Sequence, residues 1–485
     1  MTQPKPMYIS NLHPDQIASS ELGVSTRSFV GSFSRASMMH MAENVILSDH
    51  LTSDEEEEEA CLQSKYSDRE AHETSPLLYP SLQKLNTNQS IMTVADNYHL
   101  SSTNQKSTFL QSIFNSINIL LGVGILALPL GFKSAGWLIG LLTFCFCFGL
   151  TNYTAKIVIK CLSIHPDSKT YGDMGAYTFG LRGRVFISFL FLTELITCSI
   201  ALVVLLADGI ASLFPTLDVL WIRLVCFMIL TPTLFIPVRH LSYTSLIGIM
   251  SILCLLCVIL YDGLTKPSAP GSLIEPADTL MLPARWLDVP LSFGLIMAGF
   301  AGHAVFPTIY HDMENPKEYK RMVNSTYLTV AVVYLTVAAT GYLMFGSATL
   351  QEITLNLMAV TDYNQPLNRF AVCWVALNPI AKYGLTLHPV LLSWQAVLPH
   401  RFGALASIGL TTLLLVCLVC LLPNFDRVIS LLGAFFSFFI SALFPLVCHI
   451  RLFRQTMPRW ELWLNHLLLV LASLMAITGT IKSFL

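Results

Sequence analysis

From residue 108 onward the chain alternates long apolar stretches with short polar ones. A helix needs about 20 apolar residues to cross a bilayer. Eleven stretches are that long: 108–131, 136–160, 184–207, 217–236, 243–262, 288–311, 324–345, 367–396, 403–422, 428–450 and 463–484. The eighth is over-long and contains Pro379 and Pro389, so it is expected to tilt, kink or partly break. The pattern predicts an all-α integral membrane protein with eleven transmembrane helices over 106–485. Residues 1–105 are rich in Ser, Thr, Asn and Gln and lack sustained apolar periodicity. They cannot bury enough surface to offset ordering entropy and read as a disordered tail.

Composition and charge sharpen this picture. The 485 residues are 54% hydrophobic and 12% charged, about half the charge density of a soluble domain. The formal net charge is −8 over residues 1–105 and +6 over the rest, so an acidic tail joins a basic membrane body. The first 30 residues hold no apolar run of signal-peptide length, which places the N-terminus in the cytosol. With that orientation 14 Lys/Arg fall on the cytosolic side and 7 on the other. This bias supports eleven crossings and a lumenal C-terminus.

Other classes are disfavoured. No basic patch with interleaved aromatics suggests nucleic acid. The outer loops show no cysteine pair, so no disulfide framework is expected. The Cys254–Cys257 and Cys417–Cys420 pairs lie in apolar helices and read as small core residues. No metal-ligand spacing and no phosphate loop occur, so no metal, cofactor or ATP-driven step is expected.

The first and sixth segments are interrupted. The first carries Gly122, Gly124 and then Pro129; the sixth carries Gly299, Gly302 and then Pro307. Unwound backbone is tolerated at membrane depth only where it is buried in protein or lines a cavity. Paired interruptions at corresponding positions of two halves mark a transporter binding site. Segments 1 and 6 each open a block of five. Five is odd, so the second block enters from the opposite side, giving an inverted repeat with the eleventh helix appended.

The stretch LLGVGILALPLGFKSAGW in the first segment resembles the first helix of amino acid/auxin permeases. YGDMG at 171–175, FGLIMAGFAGHAVFPTIYHDMENPKEY at 293–319 and NPIAKYGLTLHPV at 378–390 extend the match. The chain looks most like the fungal and plant vacuolar amino-acid transporters, relatives of the vesicular inhibitory amino-acid transporter. The resemblance covers roughly residues 108–450. It implies a leucine-transporter-like five-plus-five fold with broken helices 1 and 6, and proton-coupled movement of amino acids across a vacuolar or lysosomal membrane.

A zwitterionic amino acid needs two complementary polar ends in an otherwise apolar pocket. Its carboxylate suits exposed N–H groups at a half-helix N-terminus, and its ammonium suits carbonyls freed by a break. Gly122, Val123, Gly124 and Ile125 are the candidates in segment 1; Gly299, Phe300, Ala301 and Gly302 are those in segment 6. Asn115, Asn118 and Gly122 fall on one helical face, where the two Asn side chains serve either substrate or interhelical hydrogen bonding. Glu194 is the one carboxylate well inside a segment. At about 2.5–3.5 kcal/mol on insertion scales it needs a reason to be there, and carrying a proton is one. Asn378, Lys382 and Thr386 form a stripe on segment 8. The Lys382 ammonium would hold the first break in place of a sodium ion, unless it snorkels to the inner interface. His303 follows the second break and is either a further proton carrier or a hydrogen-bonded structural residue.

In the tail, Glu73-Thr-Ser-Pro-Leu77-Leu78 fits an acidic dileucine pattern read by sorting adaptors, and Asp54–Glu59 is an acidic run. The function expected is proton-coupled transport of neutral amino acids, in the direction of vacuolar uptake by antiport. Export from the vacuole or lysosome, and an amino-acid sensor built on a transporter fold, are the alternatives.

Overall fold

The computed structural model describes residues 106–165, 168, 170–236, 238–397, 403–422 and 424–485. The acidic tail, the Glu73–Leu78 motif and the Asp54–Glu59 run lie outside them.

Every named element among the described residues is a helix or a helical turn. The first helix, α1 (Phe109–Leu120), starts with a capping box in which Thr108 and Gln111 satisfy each other's backbone N–H groups. A 3₁₀ turn (Val123–Ala127) leads into α2 (Leu128–Leu162). Within α2, Gly136 has φ 70°, so two helices abut there, at the boundary expected between segments 1 and 2. After a short capped helix α3 (Tyr171–Phe179) come α4 (Leu181–Leu213), α5 (Val219–Leu230) and α6 (Val238–Thr265). The sixth segment is split into α7 (Val289–Gly299) and α8 (Phe306–Asp312). Then follow α9 (Tyr319–Phe345), the short α10 (Ile353–Ala359), α11 (Gln365–Val397) and α12 (Gly403–Leu421). The tenth segment is α13 (Phe425–Leu431), two π-helical stretches (Leu432–Ser437, Phe439–Leu443) and α14 (Phe444–Phe453). α15 (Arg459–Phe484) closes the chain.

Among the described residues eight helical stretches are long and apolar enough to span a bilayer. Three shorter apolar helices, Phe109–Leu120, Val219–Phe235 and Leu405–Leu421, occupy the expected segments 1, 4 and 9. Of the tilt, kink or break expected of the eighth segment, the break does not occur: α11 runs unbroken through Pro379 and Pro389. One expectation changes. Glu194 is not alone, because α4 continues to Leu213 and so contains Asp208, and α6 buries Asp262 at 1% exposure. The apolar stretches ended where the charged residues began, but the helices did not.

Ion pairs between segments join positions that strict alternation puts on the same side. Lys160 Nζ lies 3.5 Å from Glu461 at one end of the bundle, and Lys482 Nζ lies 3.1 Å from Asp288 at the other. At the first end Ser107 pairs with the 312–314 turn: its hydroxyl donates to the Asp312 carboxylate and its N–H to the Asp312 carbonyl, 2.8 Å. At the other end a loop between α6 and α7 straps three helices together. Leu273 N–H donates to Gly263 O (2.7 Å) on α6, Ala277 N–H donates to Leu343 O (2.9 Å) on α9, and Leu138 N–H of α2 donates to Met281 O (3.0 Å).

A close helix contact lies behind the second break, where α7 meets the first π-helical stretch. A Cβ placed on Gly433 would sit 1.9 Å from the Gly294 carbonyl oxygen. Gly433→Ala must therefore push the two backbones apart, at a cost of about 1–3 kcal/mol or more. Its expected effect is a lower midpoint in detergent thermal unfolding. Gly409→Ala, whose Cβ meets nothing within 4 Å among the described residues, leaves the midpoint in place.

Candidate functional site

Both breaks are built alike: helix, unwound residues, a 3₁₀ turn, then a helix with proline in its first turn. At the first, Leu121 (φ −69°, ψ 73°) makes an inverse γ-turn closed by Gly122 N–H to Leu120 O, 2.6 Å. Gly122 is extended, and the turn Val123–Ala127 delivers Pro129 to α2. At the second, α7 stops at Gly299, Gly302 takes φ 141°, and the turn His303–Val305 delivers Pro307 to α8. Proline suits both places because its missing N–H falls where the helix has no use for one.

Each break frees carbonyl groups that apolar surroundings cannot satisfy. Tyr334 of α9, fully buried, aims its hydroxyl at two of them, Leu120 O of the first break and Gly299 O of the second (2.8 Å). Its ring explains Gly299, whose Cβ would lie 2.7 Å from Tyr334 Cε2. Lys382 of α11 donates from Nζ to Leu121 O at 3.2 Å. A cation thus sits at the C-terminal end of α1, where the helix dipole favours it. Lys382 reaches inward to the break rather than snorkelling.

Between the breaks lies a cavity of about 280 Å³. It is lined by Asn118, Gly122, Val123 and Gly124 from the first break and by Ala301, Gly302 and His303 from the second. α4 contributes Phe191, Glu194, Leu195, Cys198 and Leu202, which recur with helical spacing along one face. Lys382 and Thr386 come from α11, and Leu432 and Ile440 from the π-helical stretches. Apolar walls with a few convergent polar groups are the usual form of a small-molecule site.

Nine of the thirteen candidate residues meet at this cavity. Asn115, Ile125, Gly299 and Phe300 do not line it. Asn118 and Gly122 both reach the cavity, whereas Asn115, nearly one turn earlier on α1, is buried away from it. Phe300 turns away into an aromatic cluster with Phe144, Tyr327 and Tyr334. Asn378 shares the Lys382 stripe, since a Cβ on Gly248 would lie 3.0 Å from its Oδ1 and 3.1 Å from Lys382 Cε, but of the stripe only Lys382 and Thr386 line the cavity. His303 Nε2 lies 3.0 Å from both Thr151 O and Thr154 Oγ1. A carbonyl only accepts, so Nε2 carries the proton and anchors the break to α2.

Tyr334, the π-helical lining residues and the apolar face of α4 were not singled out from sequence. A tyrosine in mid-segment, whose hydroxyl needs a partner, was the signal available for Tyr334.

Residues 105–485 match the family described as transmembrane amino acid transporter protein. The chain belongs to this family. Amino acid transporter AVT1B of Arabidopsis thaliana is 31% identical over 394 residues, 77% of this chain and 70% of that protein. Amino acid transporter AVT1J of the same plant is 31% identical over 366 residues, 71% and 83% of the respective chains. These plant relatives carry the family, not its fungal branch. Among solved structures, inward-facing Mhp1 superposes with a TM-score of 0.50 at 12% identity, covering 78% of this chain and 89% of that one. MhsT in complex with L-phenylalanine gives 0.50 at 12%, covering 77% and 98%. At that identity the likeness is one of fold, and the fold is of the leucine-transporter type.

A Cβ on Gly122 would meet nothing nearer than Leu120 O, at 3.8 Å. Gly122→Val therefore fills cavity space without straining the chain, and is expected to abolish uptake while membrane abundance stays at the wild-type level. Gly302→Val adds backbone strain at φ 141° and contact with Ile119; both uptake and abundance should fall. Comparing uptake with immunoblotted abundance separates the two cases.

Proposed function

We propose that this protein is a secondary active transporter that moves neutral amino acids across the vacuolar membrane coupled to protons, with uptake into the vacuole by antiport. The observation that carries the reading is the convergence of both helix breaks on one cavity that also holds Glu194 and Lys382. The backbone at 122–124 and 301–302 offers polar groups for an amino acid's charged ends, and the apolar walls suit an uncharged side chain. The family assignment and the amino-acid transporter names of the relatives support the substrate class.

Ion coupling follows from charge. The site at the C-terminal end of α1 that a cation would favour is taken by the Lys382 ammonium, which repels sodium. Glu194 lines the same cavity and can hold or release a proton. Asn115, Ile125, Gly299 and Phe300 act behind the lining, and His303 holds the second break. In the proposed arrangement eleven helices cross the membrane, the acidic tail faces the cytosol, and Glu73–Leu78 recruits a sorting adaptor.

Radiolabelled uptake into isolated vacuoles tests the reading. Flux should collapse with a proton uncoupler and ignore replacement of sodium by an inert cation. Glu194→Gln keeps shape and loses titration, so it should flatten the pH response more than it weakens substrate binding. A wild-type pH profile in that variant removes Glu194 from the coupling role, and loss of flux without sodium overturns proton coupling itself. Topology has its own check. A reporter at the N-terminus should be reachable from the cytosol and one at the C-terminus only from the lumen; both on one side would rule out eleven crossings.

A further inference from the structure

Away from the central cavity, at the end of the bundle bearing the α6–α7 strap, a second acidic group is enclosed. Glu352, just before α10, has no exposed surface. Thr354 Oγ1 donates to its Oε2 at 3.1 Å, and its Oε1 has no hydrogen-bond partner among the described residues. The preceding residue, Gln351, donates from Nε2 to Asp208 Oδ2 on α4 at 2.8 Å, which brings the two carboxyl groups into one site. A buried carboxylate with one neutral donor, a bare oxygen and a second acid for company is a costly species; such a group takes up a proton instead.

We propose that Glu352, beside Asp208, is a second proton-binding site, at the mouth of the transporter opposite the tail, and that its proton is released only when α10 lifts from α4.

The surroundings agree. Arg223 of α5 and Asp426 of α13 act electrostatically on Asp208, so Asp208 has a cation available to it as an anion. Lys133 of α2 is held by the Thr349 carbonyl at 2.8 Å. On α11, Asn368 donates to Leu357 O at 3.2 Å, and Arg369 is exposed. The 3₁₀ turn Val123–Ala127, which α10 also touches, bears no titratable side chain. Burial, and next the Asp208 charge, push the Glu352 carboxyl well above the usual carboxylate range. The sign follows: the closed, protonated arrangement holds at low pH and is lost as pH rises. Because α10 packs on the turn that follows the first break, lifting it uncovers that break from this side. The inference deepens the proton-coupled reading given above and rests on it for its purpose.

The test is hydrogen–deuterium exchange of the full chain in lipid nanodiscs, read at amides 349–359 from acidic to mildly alkaline pH. Each pH is normalised to the Glu352→Gln protein. Wild type should lose protection with rising pH, by up to about tenfold per pH unit for one proton, while Glu352→Gln stays protected. Asp208→Asn removes a neighbouring anion and should move the loss to lower pH. Thr354→Val removes a donor to the carboxylate and should move it to higher pH. These opposite shifts serve equally if Glu352→Gln fails to fold. Equal exchange in wild type and Glu352→Gln at every pH, or no shift in either neighbour variant, overturns the proposal. Flat exchange with flux that still follows the pH gradient sinks this site and keeps the coupling. pH-dependent exchange with flux indifferent to the gradient keeps the site and sinks the coupling.

Discussion

A carbonyl oxygen stripped of its helical partner inside an apolar bundle is the constraint around which this molecule is arranged. Breaking two helices at membrane depth creates several such oxygens, each costing several kcal/mol if left bare. The chain answers with few groups. The Tyr334 hydroxyl is aimed at Leu120 O and Gly299 O, and Lys382 holds Leu121 O. A hydroxyl has a single proton, so Tyr334 cannot fully satisfy both carbonyls at once. The two breaks compete for one donor, which sets their spacing and leaves backbone polarity available to a bound molecule.

The fold was legible because the membrane makes its demands locally. Span length and the Gly–Gly–Pro order of each break can be read from a single stretch, and the two breaks have the predicted construction down to Pro129 and Pro307. Residues that depend on neighbours distant in sequence were harder to place. Helical periodicity put Asn115, Asn118 and Gly122 on one face, but only the two nearer the break line the cavity. Phe300 and Gly299 sit within the second break yet face Tyr334 and the aromatic cluster behind it. Backbone neighbours of a lining residue point elsewhere as often as not.

The acidic residues show a different limit. Hydropathy marked Glu194 because it interrupts an apolar run, and missed Asp208 because it ends one. Only the fold shows that Gln351, 143 positions away, reaches Asp208 and brings Glu352 with it. α4 therefore carries a carboxyl group at the central cavity and another about 21 Å further along, at 1.5 Å of rise per residue. Fourteen residues are close to four full turns, so the two lie near one face of the same helix.

The strap between α6 and α7 has a mechanical consequence. Its backbone bonds reach Gly263 on α6, Leu343 on α9 and Leu138 on α2. α2 belongs to the first five-helix block and α9 occupies the corresponding place in the second. Bolted at this end, the matching members of the two halves cannot slide past one another without tearing several short hydrogen bonds. They form a frame. Any change in which side the cavity faces must then be articulated by parts these strap bonds leave unfastened: α1 before the first break, α8 after the second, and α4 with the small helix resting on it.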